Sequence, residues 1–279
     1  MASLTRAWLA FTVWLNARLE SAAVRLTRIT GKSPVPLHPK HLLGTNETHW
    51  WYLTALHPAD HVLDVGCGSG SHTSRAAERV THSVGIDYDL TALHSAQRIA
   101  AAQSHEPGFV QASAEAPLPF CSATFDTVML LDVIEHLHGR IALLQEIHRI
   151  LRPGGQLLLS APNRDTWWKR QLRAAGLDDY ADPDHKIEYT LDELLRELAA
   201  GGFEPKQKPQ VIVYDTPWAA LIDLVGGLSL SLYRVLAMWK IRQAQAYPQE
   251  TTGWRLACRR LPSYPRTKTG VYNGSPDRA

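Results

Sequence analysis

The sequence predicts an α/β protein, a doubly wound and mostly parallel sheet with helices on both faces. Two observations carry this. From residue 60 onward, short apolar runs alternate with helical patterns, the signature of parallel strands joined by crossover helices. One run, Phe125–Leu131, is dominated by apolar residues without a polar face, as a strand buried on both sides requires. The 279 residues are 45% hydrophobic and 20% charged, which supports a large core and excludes a disordered chain.

Residues 1–45 precede this pattern and read as an amphipathic helical arm. Leu4, Trp8, Phe11, Leu15, Leu19, Ala22, Leu26 and Ile29 recur at spacings of three or four, so they share one helix face. The longest apolar run, residues 7–15, is too short to span a bilayer. Arg18 and Glu20 follow it closely, a poor fit to a signal peptide. Strands are then expected at 61–65, 82–87, 109–111, 125–131 and 156–161. Helices are expected at 71–80, at 89–103 and around Ile141, Leu144, Ile147 and Leu151. Pro153-Gly154-Gly155 is expected to end the last of these. Thr190-Leu-Asp-Glu193 is a capping box opening another helix, and Gly201-Gly202 closes it. Residues 211–214 and 254–258 are later strand candidates. Within 214–245, residues 218–239 are strongly apolar but contain Asp223, Gly226, Gly227 and Arg234, which suits a lid or an interfacial helix better than a membrane span. The domain proper is placed at 46–262, with 263–279 as a flexible tail.

Charge is unevenly distributed. Residues 1–45 carry six Lys/Arg and one acid, and residues 234–279 carry nine and two; the remaining 14 basic and 24 acidic residues lie between. The ends are thus +5 and +7 and the body −10, summing to the formal +2. An acidic body argues against a nucleic-acid partner. The basic, apolar segments 1–30 and 217–240 suit contact with a membrane surface from the cytoplasmic side, as a peripheral protein. Cys67, Cys121 and Cys258 are too few and too scattered for a disulfide framework or a cysteine zinc site.

The sharpest signal is Val62-Leu-Asp-Val-Gly-Cys-Gly-Ser-Gly70. Gly66, Gly68 and Gly70 directly follow a strand, where glycine permits positive φ and close approach of a ligand. Asp87 closes the next strand about twenty residues on, where an acid can accept from both hydroxyls of a ribose. A dinucleotide fingerprint places its third glycine one position later and holds a pyrophosphate. Asp64, two residues before Gly66, would oppose that anion and would favour a cationic ligand. This disfavours a nicotinamide oxidoreductase, and a non-catalytic binding or scaffold protein stays open beside an enzyme.

Residues 63–70 resemble motif I of the class I S-adenosylmethionine-dependent methyltransferases. Gly85-Ile-Asp87, Leu131-Asp-Val-Ile-Glu-His-Leu137 and Leu151-Arg-Pro-Gly-Gly-Gln-Leu157 are similar to later motifs of the same family, in order and in register. The resemblance, to methyltransferases of type 11 and of quinones and small molecules, implies a Rossmann-like sheet of seven strands and S-adenosylmethionine as cofactor. It implies that Gly66, Cys67, Gly68 and Gly70 form the loop against the methionine part, with Asp64 near the amino group. Asp87 would hold the ribose, Tyr88 would lie beside the adenine, and Ser113 and Ala114 at its edge. A backbone carbonyl at Leu131 or Asp132 would meet the amino end. The acceptor is expected to be a small hydrophobic or lipid-like molecule, with transfer to oxygen favoured. His185 and His136 are the candidate bases, and His49 with Trp50, Trp51 and Tyr52 a candidate lid. Trp167, Trp168, Trp218 and Trp239 are expected to line the acceptor pocket. Asp132, Glu135 and His136, neighbours at one strand end, are expected not to converge, so no metal site is predicted.

Overall fold

The computed structural model describes residues 2–43, 50–101 and 105–262. Its strands are β1 (His61–Val65), β2 (His82–Asp87), β3 (Gly108–Gln111), β4 (Phe125–Leu131), β5 (Leu151–Pro162), β6 (Phe203–Pro205), β7 (Gln210–Val211) and β8 (Gly253–Arg260). They form one sheet in the order β3-β2-β1-β4-β5-β8-β6, with β7 also paired to β8. The first five are parallel and β8 runs antiparallel to β5, β6 and β7. Strand order reverses between β1 and β4, so a crevice opens at the carboxyl ends of these strands.

The described helices are α1 (Ala2–Ile29), α2 (Ser71–Ala77), α3 (Leu90–Ala100), α4 (Arg140–Ile150), α5 (Trp167–Ala174), α6 (Leu191–Ala200), α7 (Ala219–Leu228) and α8 (Leu230–Ala246). Strand alternation divides the core. Val128, Leu130, Leu157 and Leu159 pack with Leu144 and Ile147 of α4 on one face. Val62, Met129 and Leu158 pack with Tyr52 and Ala76 on the other. The Thr190 capping box forms in full: its side chain accepts from the Glu193 amide, and Glu193 accepts from the Thr190 amide.

Four departures from expectation have local causes. The sheet has eight strands instead of seven, because two short strands, β6 and β7, both pair with β8. Three- and two-residue strands are too short to show a period, and 211–214 contributes only Val211 and an isolated bridge at Tyr214. Pro153-Gly154-Gly155 lies inside β5: Phe125 pairs with Leu151 but Thr127 with Gln156, so the intervening residues form a bulge, with Gly154 at φ +84°. A helix, α5, sits where a loop was expected, capped by the Thr166 side chain. Residues 49, 102–104 and 263–279, parts of the expected lid, helix and tail, lie outside the described residues.

The arm is a single helix that packs on α7. Its buried line is Leu9, Thr12, Ala23 and Thr27, about one residue offset from the expected stripe. The cause is at Gly226-Gly227: a side chain on Gly227 would meet Leu26 Cβ at 2.7 Å and the Ala23 carbonyl at 3.0 Å. Small residues on both helices let the backbones approach, so the large side chains Leu4, Phe11 and Trp14 are left outside. Asn16 Nδ2 donates to the Pro217 carbonyl (2.8 Å) and Thr30 Oγ1 to that of Gly227 (3.0 Å). No described helix is long and apolar enough to cross a membrane.

Leu144 is fully buried at the centre of the larger cluster. Leu144→Ala should lower unfolding free energy by about 2–5 kcal/mol, read as an earlier urea midpoint at unchanged slope.

Candidate active site

The loop after β1 turns through three residues of positive φ: Gly66 (+73°), Gly68 (+51°) and Gly70 (+75°). Its amides are largely spent within the protein. Gly66 and Cys67 N–H both donate to the Ile86 carbonyl, Gly70 N–H to that of Cys67, and Gly68 N–H to Asp87 Oδ2 at 2.8 Å. A side chain on Gly66 would meet Val133 at 2.6 Å, and one on Gly70 would meet Ala96 and Phe109. Around Gly68 there is open space. Asp87 Oδ1 accepts from the Asp89 amide (2.9 Å), so each carboxylate oxygen keeps capacity for a further bond.

A cavity of about 670 Å³ opens beside this loop, within the range of small-ligand sites. Gly66, Asp87, Tyr88, Ser113, Ala114 and Asp132 are on its wall, as is His136. Tyr88 is 78% exposed, and the Ser113 hydroxyl accepts from the Glu115 amide. Cys67, Gly68, Gly70 and Asp64 are not on the wall. Asp64 is 2% exposed beneath the loop and accepts from Thr73 Oγ1 at 2.7 Å. Burial raises its pKa to about 7, and its bond to Thr73 ties the end of β1 to α2.

A second cavity, of about 380 Å³, shares Asp132 with the first. Asp132 has φ +54°, and its Oδ1 accepts from Ser160 Oγ at 2.8 Å. Leu131, expected with the loop, is on the wall of this second cavity, which α7 and α8 cover. Trp167, Trp168, Trp218 and Trp239 are not on that wall. Trp168 is buried against Leu9 and Trp8, and the other three are exposed. Trp51 is the tryptophan that lines the cavity.

Residues 63–159 match the family described as methyltransferase domain. A probable S-adenosylmethionine-dependent methyltransferase of Mycolicibacterium smegmatis is 35% identical over 144 residues, 51% of either chain. A ubiquinone biosynthesis O-methyltransferase of Pseudomonas aeruginosa is 29% identical over 127 residues, 46% of this chain and 55% of its own. Over residues 63–159 the chain is thus similar to S-adenosylmethionine-dependent methyltransferases. The chain spans about half the length of the curated relatives it matches. The fold is that of the solved S-adenosylmethionine-dependent methyltransferase from Mesorhizobium loti, with TM-score 0.51 at 20% identity over 78% of this chain and 99% of the other.

The residues fit the cofactor of such enzymes: Asp87 keeps acceptor capacity of the kind that ribose hydroxyls would use, and Gly68 has open space beside it. The spent loop amides leave little to cradle a pyrophosphate.

The two candidate histidines meet: the rings of His136 and His185 are 4.7 Å apart. His136 is on the cavity wall and His185 is behind it, its Nδ1 2.9 Å from Oε1 of the fully buried Glu188. Glu188 is also paired with the buried Lys169. Glu135 and His136 converge with His185, a different trio from the Asp132, Glu135 and His136 weighed from the sequence: their ligating atoms lie within 4.8 Å of one another and could hold a metal ion. The sequence neighbours converge because the third member comes from the loop before α6, which donates the Lys186 and Ile187 amides to the Glu135 carbonyl. Glu135 is 1% exposed, with a pKa raised to about 8 by burial and then by Asp132. Val133, His138, Asp184 and Lys186 also line the first cavity. They had no sequence signal, since their positions depend on how two distant loops fold together.

Asp64 sets a pH dependence. In the unfolded chain it ionises near 3.8, and in the folded one near about 7. Between these values the folded state keeps a proton that the unfolded state has released, so stability falls as pH rises and levels off above the upper one. Asp64→Asn should flatten that part of the urea-unfolding profile; identical slopes in variant and wild type would mean that Asp64 ionises normally.

Proposed function

We propose that the protein moves a methyl group from S-adenosylmethionine to a small, largely apolar acceptor, with oxygen as the receiving atom. The observation that carries this is the pair of cavities meeting at Asp132, one lined by Gly66 and Asp87 and the other roofed by α7 and α8. When bound, S-adenosylmethionine supplies a methyl group already activated on a sulfonium. Asp87 would hold the ribose hydroxyls, with Tyr88, Ser113 and Ala114 around the adenine. Gly66, Cys67 and Gly68 would offer backbone, and Asp132 would position the amino end. The protein's own contribution is then orientation and exclusion of water, which in well-aligned reactions supplies roughly 7–11 kcal/mol.

Transfer to oxygen needs a proton acceptor. His136 stands at the wall, and His185 behind it is oriented by Glu188. With Nδ1–H donated to that carboxylate, His185 Nε2 carries the lone pair and can relay a proton taken through His136. Such a base is worth on the order of 10²–10⁴-fold. The relative named for ubiquinone O-methylation supports the same choice of atom.

We further propose a peripheral position on the cytoplasmic face of a membrane. Phe11 and Trp14 of α1 are stacked, 56% and 54% exposed, with Arg18 over the Trp14 ring at 5.5 Å. Trp218, Leu221, Leu228, Leu232 and Val235 are exposed on α7, α8 and the turn before them. Aromatic and aliphatic side chains beside arginines suit an anionic bilayer surface.

Two measurements test these readings. Asp87→Ala should weaken binding of S-adenosylhomocysteine by about tenfold or more in calorimetry, the loss of one or two charge-assisted bonds; unchanged affinity would remove the assignment. The double variant Phe11→Ser/Trp14→Ser should cosediment less with vesicles of phosphatidylglycerol and phosphatidylcholine than wild type does. Equal cosedimentation, or none by wild type, would end the membrane reading. This variant is preferable to removing α1, which would uncover α7.

A further inference from the structure

The second cavity is apolar over much of its wall, through Leu131, Ile222, Met238 and Ile241, yet Lys240 of α8 and Arg255 of β8 also line it. The acids that share the wall are already engaged. Asp223 Oδ1 accepts from Tyr233 Oη at 2.9 Å, and its Oδ2 is 3.4 Å from His38 Nε2. Asp132 accepts from Ser160. Among the described residues, neither the Lys240 ammonium nor the Arg255 guanidinium has a hydrogen-bond or ion-pair partner. Burial lowers the pKa of both, that of Arg255 to about 10, which leaves it cationic at neutral pH. Their counter-charges act only at longer range, Asp223 and Asp215 on Lys240 and Asp132 on Arg255, and a buried cation without a direct partner is costly. Both basic groups lie in one cavity, and two cations, Lys40 and Arg234, stand exposed on its rim. Rim cations raise the local concentration of anions.

We infer that this cavity takes an acceptor bearing an anionic oxygen group, a carboxylate or a phosphate, on an apolar body, with Arg255 and Lys240 supplying the counter-charge. This rests on the methyltransferase reading for the word acceptor; the anion site itself does not. Arg255 is cross-strand from Ser160, whose carbonyl receives the Asp132 amide. Its charge therefore lies on the side of the cavity that adjoins the first one. The anionic group is thus held near the junction, and the apolar body extends under α7 and α8.

The test uses the full chain saturated with S-adenosylhomocysteine and three probes of equal chain length: decanoate, decyl phosphate and decanol. Calorimetry should show one or both anions binding about tenfold or more tightly than decanol. The tighter anion identifies the group. Arg255→Gln and Lys240→Met should each cut anion affinity by a similar factor and leave decanol unchanged, whereas Arg255→Lys should retain much of it. Decanol binding as well as the anions, no probe binding to wild type, or anion affinity unmoved in both neutral variants would overturn the inference. Thermal unfolding and S-adenosylhomocysteine binding of each variant are read in parallel. A protein that binds the anions but not S-adenosylhomocysteine would fail as a methyltransferase and still keep the anion site.

Discussion

A single bond between main chain and carboxylate organises the domain: the Gly68 amide donates to Asp87 across the ends of β1 and β2. It can form because the loop turns at positive φ, which glycine adopts without steric penalty. With that bond in place the remaining loop amides turn inward to Ile86 and Cys67. The loop therefore presents bare backbone and one carboxylate to the crevice in place of a fan of N–H donors. Such a loop has few free N–H groups to offer a pyrophosphate.

Much of this frame was legible from residues. The strand ends, the glycine turn, Asp87 and the capping box at Thr190 each have a local cause, and local causes survive folding. Asp64 was legible as a residue but not as a role. Its position at the end of β1 could not reveal that Thr73, from the next helix, would satisfy it beneath the loop. The glycines at 226 and 227 marked an interruption in an apolar run, yet nothing local shows that they seat α1. The bulge at Pro153-Gly154-Gly155 read as a break because turn residues look alike whether a strand stops or only detours.

The second cavity was the least legible, for a physical reason. Its walls come from the arm, from α7 and α8 and from β8, so each contributes a few residues with no mutual spacing. The histidine pair shows the same effect. His136 and His185 are 49 positions apart and become neighbours only when the loop before α6 is pinned to the Glu135 carbonyl. Aromatic residues invited an overestimate: four tryptophans outside the cavity are spent on packing α1 or on the surface, while Trp51 had been grouped with a lid.

The roof of the second cavity has a consequence for how such a protein can diverge. His38, Lys40 and Leu43 come from the chain before the shared methyltransferase region, and Ile222, Tyr233 and Lys240 come from the chain after it. Much of the roof of this cavity is thus encoded outside the shared region, while His72, Leu131 and Asp132 of its wall lie within it. Exchange or drift in the flanking stretches can reshape this cavity and leave the Gly68–Asp87 contact as it was.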